Sequence, residues 1–308
     1  MSERIKKGII FSLFTALISG FSIFYNKFVV IGDIDPLILN IIKNGGVAFL
    51  LSFILLMSPQ KIKLHKLSFN QWKKLLLIGL IGGSIPFVLF FEGLRQVQAV
   101  NANLIHKTLF IWVAVLAIPV LGEKLNIWQI VGYLIIAWSN LFIGGFTGFL
   151  ANRGEIMIFA ATLLWSSENI VAKIALRDID SGIVAWGRMF IGSIFLIILA
   201  VTQNKLLLLT RVTTIQLLSL SVSILFLTGY VVCWFKALRL APATVVTSVL
   251  ILATPITNIL TALLITHNLP QIQLVNVITT SFGLSLIILL SSLINKLKLQ
   301  NAKAKANA

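Results

Sequence analysis

The sequence predicts an all-α polytopic membrane protein: ten transmembrane helices forming two inverted five-helix repeats, with both termini on the cytoplasmic side. Composition, the spacing of apolar runs and an internal repeat carry that prediction. Of 308 residues, 58% are hydrophobic and only 11% charged. Soluble domains are about 45–50% apolar and about 25% charged, so a soluble enzyme, a disordered chain and a disulfide-stapled secreted domain are excluded. The single Cys233 forms no intramolecular bridge.

A spanning helix needs about 20 mostly apolar residues, and ten stretches meet that requirement, at about 8–31, 36–57, 71–94, 99–121, 126–146, 154–176, 180–200, 215–238, 243–266 and 271–293. The first follows Arg4, Lys6 and Lys7 in the manner of a signal peptide. Its apolar run continues through Val30 without a small-residue cleavage site, which predicts a retained helix. The second and seventh open on Asp35-Pro36 and Asp180-Ser181, pairs suited to capping a helix start. The third contains Gly82-Gly83-Ser84-Ile85-Pro86, an expected interruption, and Thr228-Gly229-Tyr230 fills the matching stretch of the eighth. Pro255, with Thr254 and Thr257, does the same in the ninth. Gly82, Gly83, Pro86, Gly229 and Pro255 are therefore the candidate hinges. A membrane barrel is disfavoured because segments of about 10 alternating residues are missing.

The chain repeats itself. At an offset of 146, Lys7-Gly8 matches Arg153-Gly154 and Lys27 matches Lys173. At 145, Asp33-Ile34-Asp35 matches Asp178-Ile179-Asp180 and Lys43 matches Arg188. At 144, Phe91, Leu94 and Arg95 match Phe235, Leu238 and Arg239, and Gln129 matches Gln273. The predicted units are residues 1–150, residues 151–295 and a basic cytoplasmic tail at 296–308. Five helices per unit is an odd number, so the two units insert with opposite orientation. Inverted repeats of this kind place a transporter's substrate site near mid-membrane between them.

The net charge of +16 would suggest nucleic acid in a soluble protein. Here it follows the bias of Lys and Arg toward cytoplasmic loops. With the N-terminus inside, fifteen basic residues, among them Arg4, Lys63, Lys74, Lys124, Arg177 and Arg239, fall on the cytoplasmic side. Four, namely Arg95, Arg153, Lys205 and Arg211, fall on the other. The expected partners are therefore a small-molecule solute and membrane lipids with anionic headgroups, not nucleic acid; a monomer is compatible with the sequence. The expected location is the cell membrane.

Six basic residues lie inside helix spans. Lys27, Lys173 and Lys236 sit near helix ends, within snorkelling reach of the interface. Lys43, Lys107, Arg188 and the acid Glu168 lie deeper, where an ionisable group costs about 2.5–3.5 kcal/mol on insertion scales and marks a functional position by default. Lys43 and Arg188 are repeat equivalents, which favours a structural charge in each half. Lys107 and Glu168 stand opposite Ile251 and Ser22. Charges that break the pseudo-symmetry suit an asymmetric ligand, so Lys107 and Glu168 are the leading substrate contacts, with Glu168 also the candidate for proton coupling. His106, Asn103, Asn101 and Asn169 are further polar candidates; Trp165, Trp186, Trp234 and Tyr230 are candidate cavity walls. The twin Asp-x-Asp sequences fall on opposite faces and form no single metal site. The sequence carries no P-loop, zinc-ligand spacing, nucleophile elbow or dinucleotide fingerprint, so no cofactor, metal or enzymatic activity is expected.

Phe91-Glu-Gly-Leu-Arg95, followed by a mixed polar and apolar helix and then Leu121-Gly-Glu-Lys-Leu-Asn-Ile-Trp-Gln-Ile-Val-Gly132, resembles the repeat unit of the EamA-type drug/metabolite transporters. Phe235-Lys-Ala-Leu-Arg-Leu-Ala-Pro242 through Thr254-Pro255 resembles a second copy, and Trp165-Ser-Ser-Glu-Asn169 resembles the family's entry into the first helix of a repeat. The chain departs from the pattern at Thr266-His267, where the second copy would carry Gly-Glu, and at Ser19, where the first would carry tryptophan. The resemblance spans about residues 8–293 and implies a ten-helix transporter with a central cavity. The expected function is alternating-access transport, in the export direction, of a small polar organic solute such as an amino acid. A nucleotide-sugar or phosphorylated-sugar exchanger is the alternative within transport; a membrane scaffold or a lipid-substrate enzyme is the alternative outside it.

Overall fold

The computed structural model describes residues 2–28, 34–58, 60–97, 99–143 and 148–290. The expected tail at 296–308, Asp33 of the first Asp-x-Asp, the side chain of Lys27 and the outer ends of the first, fifth and tenth expected spans lie outside the described residues. The described helices, in chain order, are α1 (Glu3–Phe28), α2 (Pro36–Met57), the short α3 (Gln60–His65), α4 (Phe69–Gly83), α5 (Ile85–Leu94), α6 (Ala99–Lys107), α7 (Leu109–Leu121) and α8 (Ile127–Trp138). The second half continues with α9 (Arg153–Ala175), α10 (Ser181–Thr202), α11 (Thr214–Leu240), α12 (Ala243–Leu250), α13 (Ala253–Thr261) and α14 (Gln271–Ser285). Joined across their breaks, these give nine membrane-length apolar spans among the described residues, plus a shorter one at Ile127–Ile143. The exposed side chains around the bundle include Phe49, Phe53, Leu134, Phe142, Leu218 and Ile278, as expected of a surface that faces lipid rather than water.

Helix starts follow local chemistry. Asp35 accepts from the Leu37 amide at 2.8 Å and Pro36 opens α2, where a proline's missing N–H costs nothing. Ser68/Gln71 and Thr213/Gln216, at equivalent places in the two repeats, form reciprocal capping boxes on α4 and α11. Asp180 departs from the expected cap: it makes no side-chain bond to its helix start, because its two oxygens are taken by Arg239 Nη1 and Lys63 Nζ, each at 2.6 Å.

Three spans are broken. The α4–α5 break falls at Ser84, within the expected glycine–proline stretch. Its freed carbonyls are satisfied from neighbouring helices: Trp165 Nε1 donates to the Gly82 oxygen at 3.1 Å and Asn44 Nδ2 to the Gly83 oxygen at 3.0 Å. This is how broken backbone survives at membrane depth. The backbone of α10 presses against the same place, so that a Cβ on Gly192 would lie 2.7 Å from the Gly83 Cα. The other two breaks are repeat equivalents, between α6 and α7 at Thr108 and between α12 and α13 at Ile251–Leu252. Pro255 therefore lies inside α13, just after the break rather than at it. Gly229 is a correction: α11 runs unbroken from Thr214 to Leu240. Without a proline nearby, no backbone hydrogen bond is lost there and the helix continues.

α1 packs along α11, α2 along α10, α5 along α9 and α8 along α14, so every one of these pairings joins the first repeat to the second. The inversion is visible in the charged ends. Asp180, Lys63, Arg239 and Arg4 meet at the amino-terminal end, where Arg4 Nη2 donates to the Arg239 carbonyl at 3.0 Å. Asp35, the equivalent of Asp180, meets Lys205 at 3.0 Å at the opposite end. The Lys173 ammonium donates to the carbonyls of Leu238 and Ala241, pinning the turn between α11 and α12.

Candidate functional site

A cavity of about 330 Å³ lies in the middle of the bundle. Of the ten candidate contacts, polar groups and cavity walls named above, eight line it: Lys107, Glu168, His106, Asn103, Asn169, Trp165, Tyr230 and Trp234. The α6–α7 break ends α6 on His106 and Lys107 and turns them into the cavity, and α9 presents Trp165 and, one turn further on, Glu168 and Asn169. Asn169 Oδ1 accepts from Trp234 Nε1 at 3.1 Å, which holds the indole in place. Tyr230 stacks on Trp234 with ring centroids 5.9 Å apart, and the His106 ring sits edge-on to Trp165 at 4.8 Å.

The charges are unevenly satisfied. The Glu168 side chain is 3% exposed and its Oε1 lies 3.5 Å from Arg188 Nε, an ion pair too long to be a hydrogen bond. Glu168 Oε1 and His106 Nδ1 have no hydrogen-bond partner among the described residues. Lys107 has no ion pair among them either. Buried polar atoms are normally hydrogen-bonded, so a lysine without an ion pair, a carboxylate oxygen held only by the long contact to Arg188 and an imidazole nitrogen without a hydrogen bond, all on one cavity, make a site ready to accept hydrogen bonds and to give them.

Arg188 was expected to share a structural role with its repeat equivalent Lys43, and the two are placed differently. Arg188 lines the cavity, with its guanidinium over the Phe87 ring at 5.8 Å. Lys43 does not line it. The bare Cα of Gly82 is what admits the pair, since a Cβ there would run into the Glu168 side chain and come within 3.2 Å of Arg188 Nε. Of the other candidates, Asn101 turns away to Glu155 at 3.3 Å. Trp186 stacks on Phe190 and donates to Ser52 Oγ at 2.8 Å, outside the cavity.

Residues that single-site reasoning missed are Ser19, Ser22, Ile23, Phe87, Thr247 and Ile251, among others in the lining. The repeat itself contained the signal. Ser19 and Trp165, Ser22 and Glu168, and Ile23 and Asn169 are equivalents at an offset of 146. Phe87 and Val231, Asn103 and Thr247, His106 and Leu250, and Lys107 and Ile251 are equivalents at 144. Both members of every one of these pairs line the cavity, which therefore straddles the pseudo-twofold axis. The large or charged member comes from α6 or α9 in most pairs, so one wall is polar and the facing wall is smaller and more apolar.

The model of the EamA-like transporter family matches residues 6–145 and again 152–290. The chain belongs to the EamA-like transporter family. The two matches lie on the two halves of the fold, and this family member is a multi-pass membrane protein. Among curated proteins, it is 26% identical over 136 residues to an uncharacterized transporter of Methanothermobacter thermautotrophicus, a match covering 42% of this chain and 40% of that protein. It is 24% identical over 173 residues to the uncharacterized transporter YoaV of Bacillus subtilis, covering 54% and 58% respectively. The chain thus spans about half the length of the curated relatives it matches. A solved crystal structure shares the fold with a TM-score of 0.78 at 12% identity, over 92% of this chain and 98% of that one.

Proposed function

We propose that this EamA-like protein moves a small organic solute carrying both an anionic and a cationic or hydrogen-bond-donating group, an amino acid or related metabolite, across the cell membrane by alternating access. The observation that carries the proposal is that one cavity is lined by Lys107, which has no ion pair among the described residues, and by Glu168, whose Oε1 makes no hydrogen bond there. Lys107 pairs with the solute's carboxylate. Glu168 takes its ammonium, or takes up and releases a proton in the cycle, and Arg188 holds Glu168 in place. The aromatic faces of Trp165, Trp234 and Tyr230 accommodate the apolar part. The direction proposed is export. A phosphorylated sugar or sugar nucleotide exchanger is the second reading; the surplus of basic groups in the cavity favours it to the extent that Glu168 is neutralised by Arg188.

A thermal-shift screen of the purified protein against amino acids, sugar phosphates, nucleotides and organic cations tests the proposal. Stabilisation by one amino-acid class, lost in Lys107→Ala and Glu168→Gln, is the expected result. Stabilisation by sugar phosphates or nucleotides alone would select the second reading, and a shift from amino acids that survives both substitutions would remove these residues from the site.

A further inference from the structure

The two ends of the molecule are built from equivalent residues but are bonded differently. At each end an aspartate that begins the second helix of one repeat is bridged by a lysine from the segment that follows the second helix of the other: Asp180 by Lys63 at 2.6 Å and Asp35 by Lys205 at 3.0 Å. At the amino-terminal end the aspartate also binds an arginine, Arg239, at 2.6 Å. The equivalent arginine at the opposite end, Arg95, is not on Asp35. It is more than half exposed and its one ion pair among the described residues is with Glu92, at 3.9 Å within its own turn, while the second oxygen of Asp35 is occupied by the Leu37 amide at 2.8 Å.

The Arg239 end is sealed further. Glu123 accepts from the amides of Ala243 and Thr244 at 2.7 and 3.0 Å and from the Thr244 hydroxyl at 2.7 Å. Tyr133 donates to the Thr244 carbonyl at 2.7 Å, and Lys173 holds the Leu238 and Ala241 carbonyls. The position equivalent to Glu123 in the second repeat is His267, which is exposed, so the counterpart of that carboxylate cap is missing. At the same time, the cavity wall includes Asn103, an exposed residue of α6, the half-helix that begins at the end opposite the seal.

Because the repeats are inverted, exchanging their conformations exchanges the ends. We infer that Arg239 and Arg95 are alternating gate residues: Arg239 on Asp180 closes the amino-terminal end in the present conformation, and Arg95 moving onto Asp35 closes the opposite end once Arg239 has let go. Both aspartates keep their lysine throughout, so only the arginines change partner. Partial burial alone would raise the pKa values of Asp180 and Asp35. The bonds and charges of Lys63 and Arg239 on one, and of Lys205 and the helix start on the other, hold both below the ordinary carboxylate value. Each aspartate thus stays an anion able to receive its arginine at neutral pH. The inference rests on the alternating-access reading above and adds to it the pair that closes each state.

Accessibility labelling tests the gate without requiring the solute. Ser19→Cys, in a Cys233→Ser background, places a thiol on the cavity wall, and a membrane-impermeant maleimide added to one side of oriented proteoliposomes reports which end is open. The parent is expected to label mainly from the side opposite the N-terminus. Adding Arg239→Gln is expected to raise labelling from the N-terminal side about two- to fivefold, the population shift that a partly exposed ion pair of up to about 1 kcal/mol can produce. Adding Arg95→Gln to that variant is expected to return labelling toward the parent, since the alternate state loses its own pair. Arg95→Gln alone breaks no bond of the closed end, and is expected to lower N-terminal-side labelling; it serves if the Arg239 variant fails to fold. Labelling from the N-terminal side that is indifferent to Arg95 would overturn the gate assignment while leaving alternating access intact. A thiol that never labels from that side in any variant would overturn both.

Discussion

Lys107 and Glu168 illustrate what charge placement in a membrane helix discloses. Their depth and their lack of a charged repeat equivalent singled them out in the sequence, and they line one cavity. Arg188 was legible as a deep charge but not as the partner of Glu168, because that pairing depends on how α9 and α10 both pack against α4 at Gly82. Rotations and crossings of this kind are set by packing rather than by periodicity. A functional cation carries a stability cost that a structural one does not. Lys107 has no ion pair among the described residues, so Lys107→Met is expected to raise the thermal midpoint of the purified protein, by an amount equivalent to about 1–3 kcal/mol if the lysine's burial penalty is relieved, while abolishing solute-dependent stabilisation. Thermal unfolding with and without solute checks both; a fall in the midpoint would mark Lys107 as structural.

Among the elements, the helix breaks separate what local sequence encodes from what the tertiary structure adds. The α4–α5 break was legible because glycine and proline coincide there. Of the paired breaks at Thr108 and Ile251–Leu252, only the second has a proline within a turn, Pro255, and their symmetry became visible only when the repeats were laid side by side. Gly229 looked like a hinge because it lies in the stretch that matches Gly82–Pro86, but it lies in a continuous helix. Two glycine substitutions should therefore behave oppositely. A methyl at Gly229 meets only the flexible end of Ile18, at 3.3 Å, so Gly229→Ala is expected to stabilise by up to about 1 kcal/mol through helix propensity. At Gly192 the same methyl meets the backbone of Gly83, and Gly192→Ala is expected to cost about 1–3 kcal/mol by overpacking. Thermal midpoints of the two variants, measured in one detergent, check the contrast; equal effects would contradict the assigned packing.

At the level of the whole molecule, the internal repeat was the most informative feature of the chain. It predicted the inversion now seen in the placement of Asp35 and Asp180 at opposite ends. It also explains why a cavity forms where it does, on the axis that relates equivalent residues of α1 and α9 and of α6 and α12. Small differences between the copies, such as Ser19 for Trp165, Ser22 for Glu168 and His267 for Glu123, then give a symmetric scaffold a ligand-shaped asymmetry and unequal gates. Charge counts alone indicated none of this, since the net +16 reflects loops and tail far more than the few residues in the cavity. The central claim is that the cavity bearing Lys107 and Glu168 is the place where solute crosses. The measurement that tests it most directly is counterflow of a radiolabelled amino acid, of the class that stabilises the purified protein, in proteoliposomes holding the intact chain, Lys107→Ala or Glu168→Gln at matched reconstitution. The expected result is solute accumulation by the intact chain and a loss of at least tenfold in each variant; undiminished counterflow in both variants would contradict it.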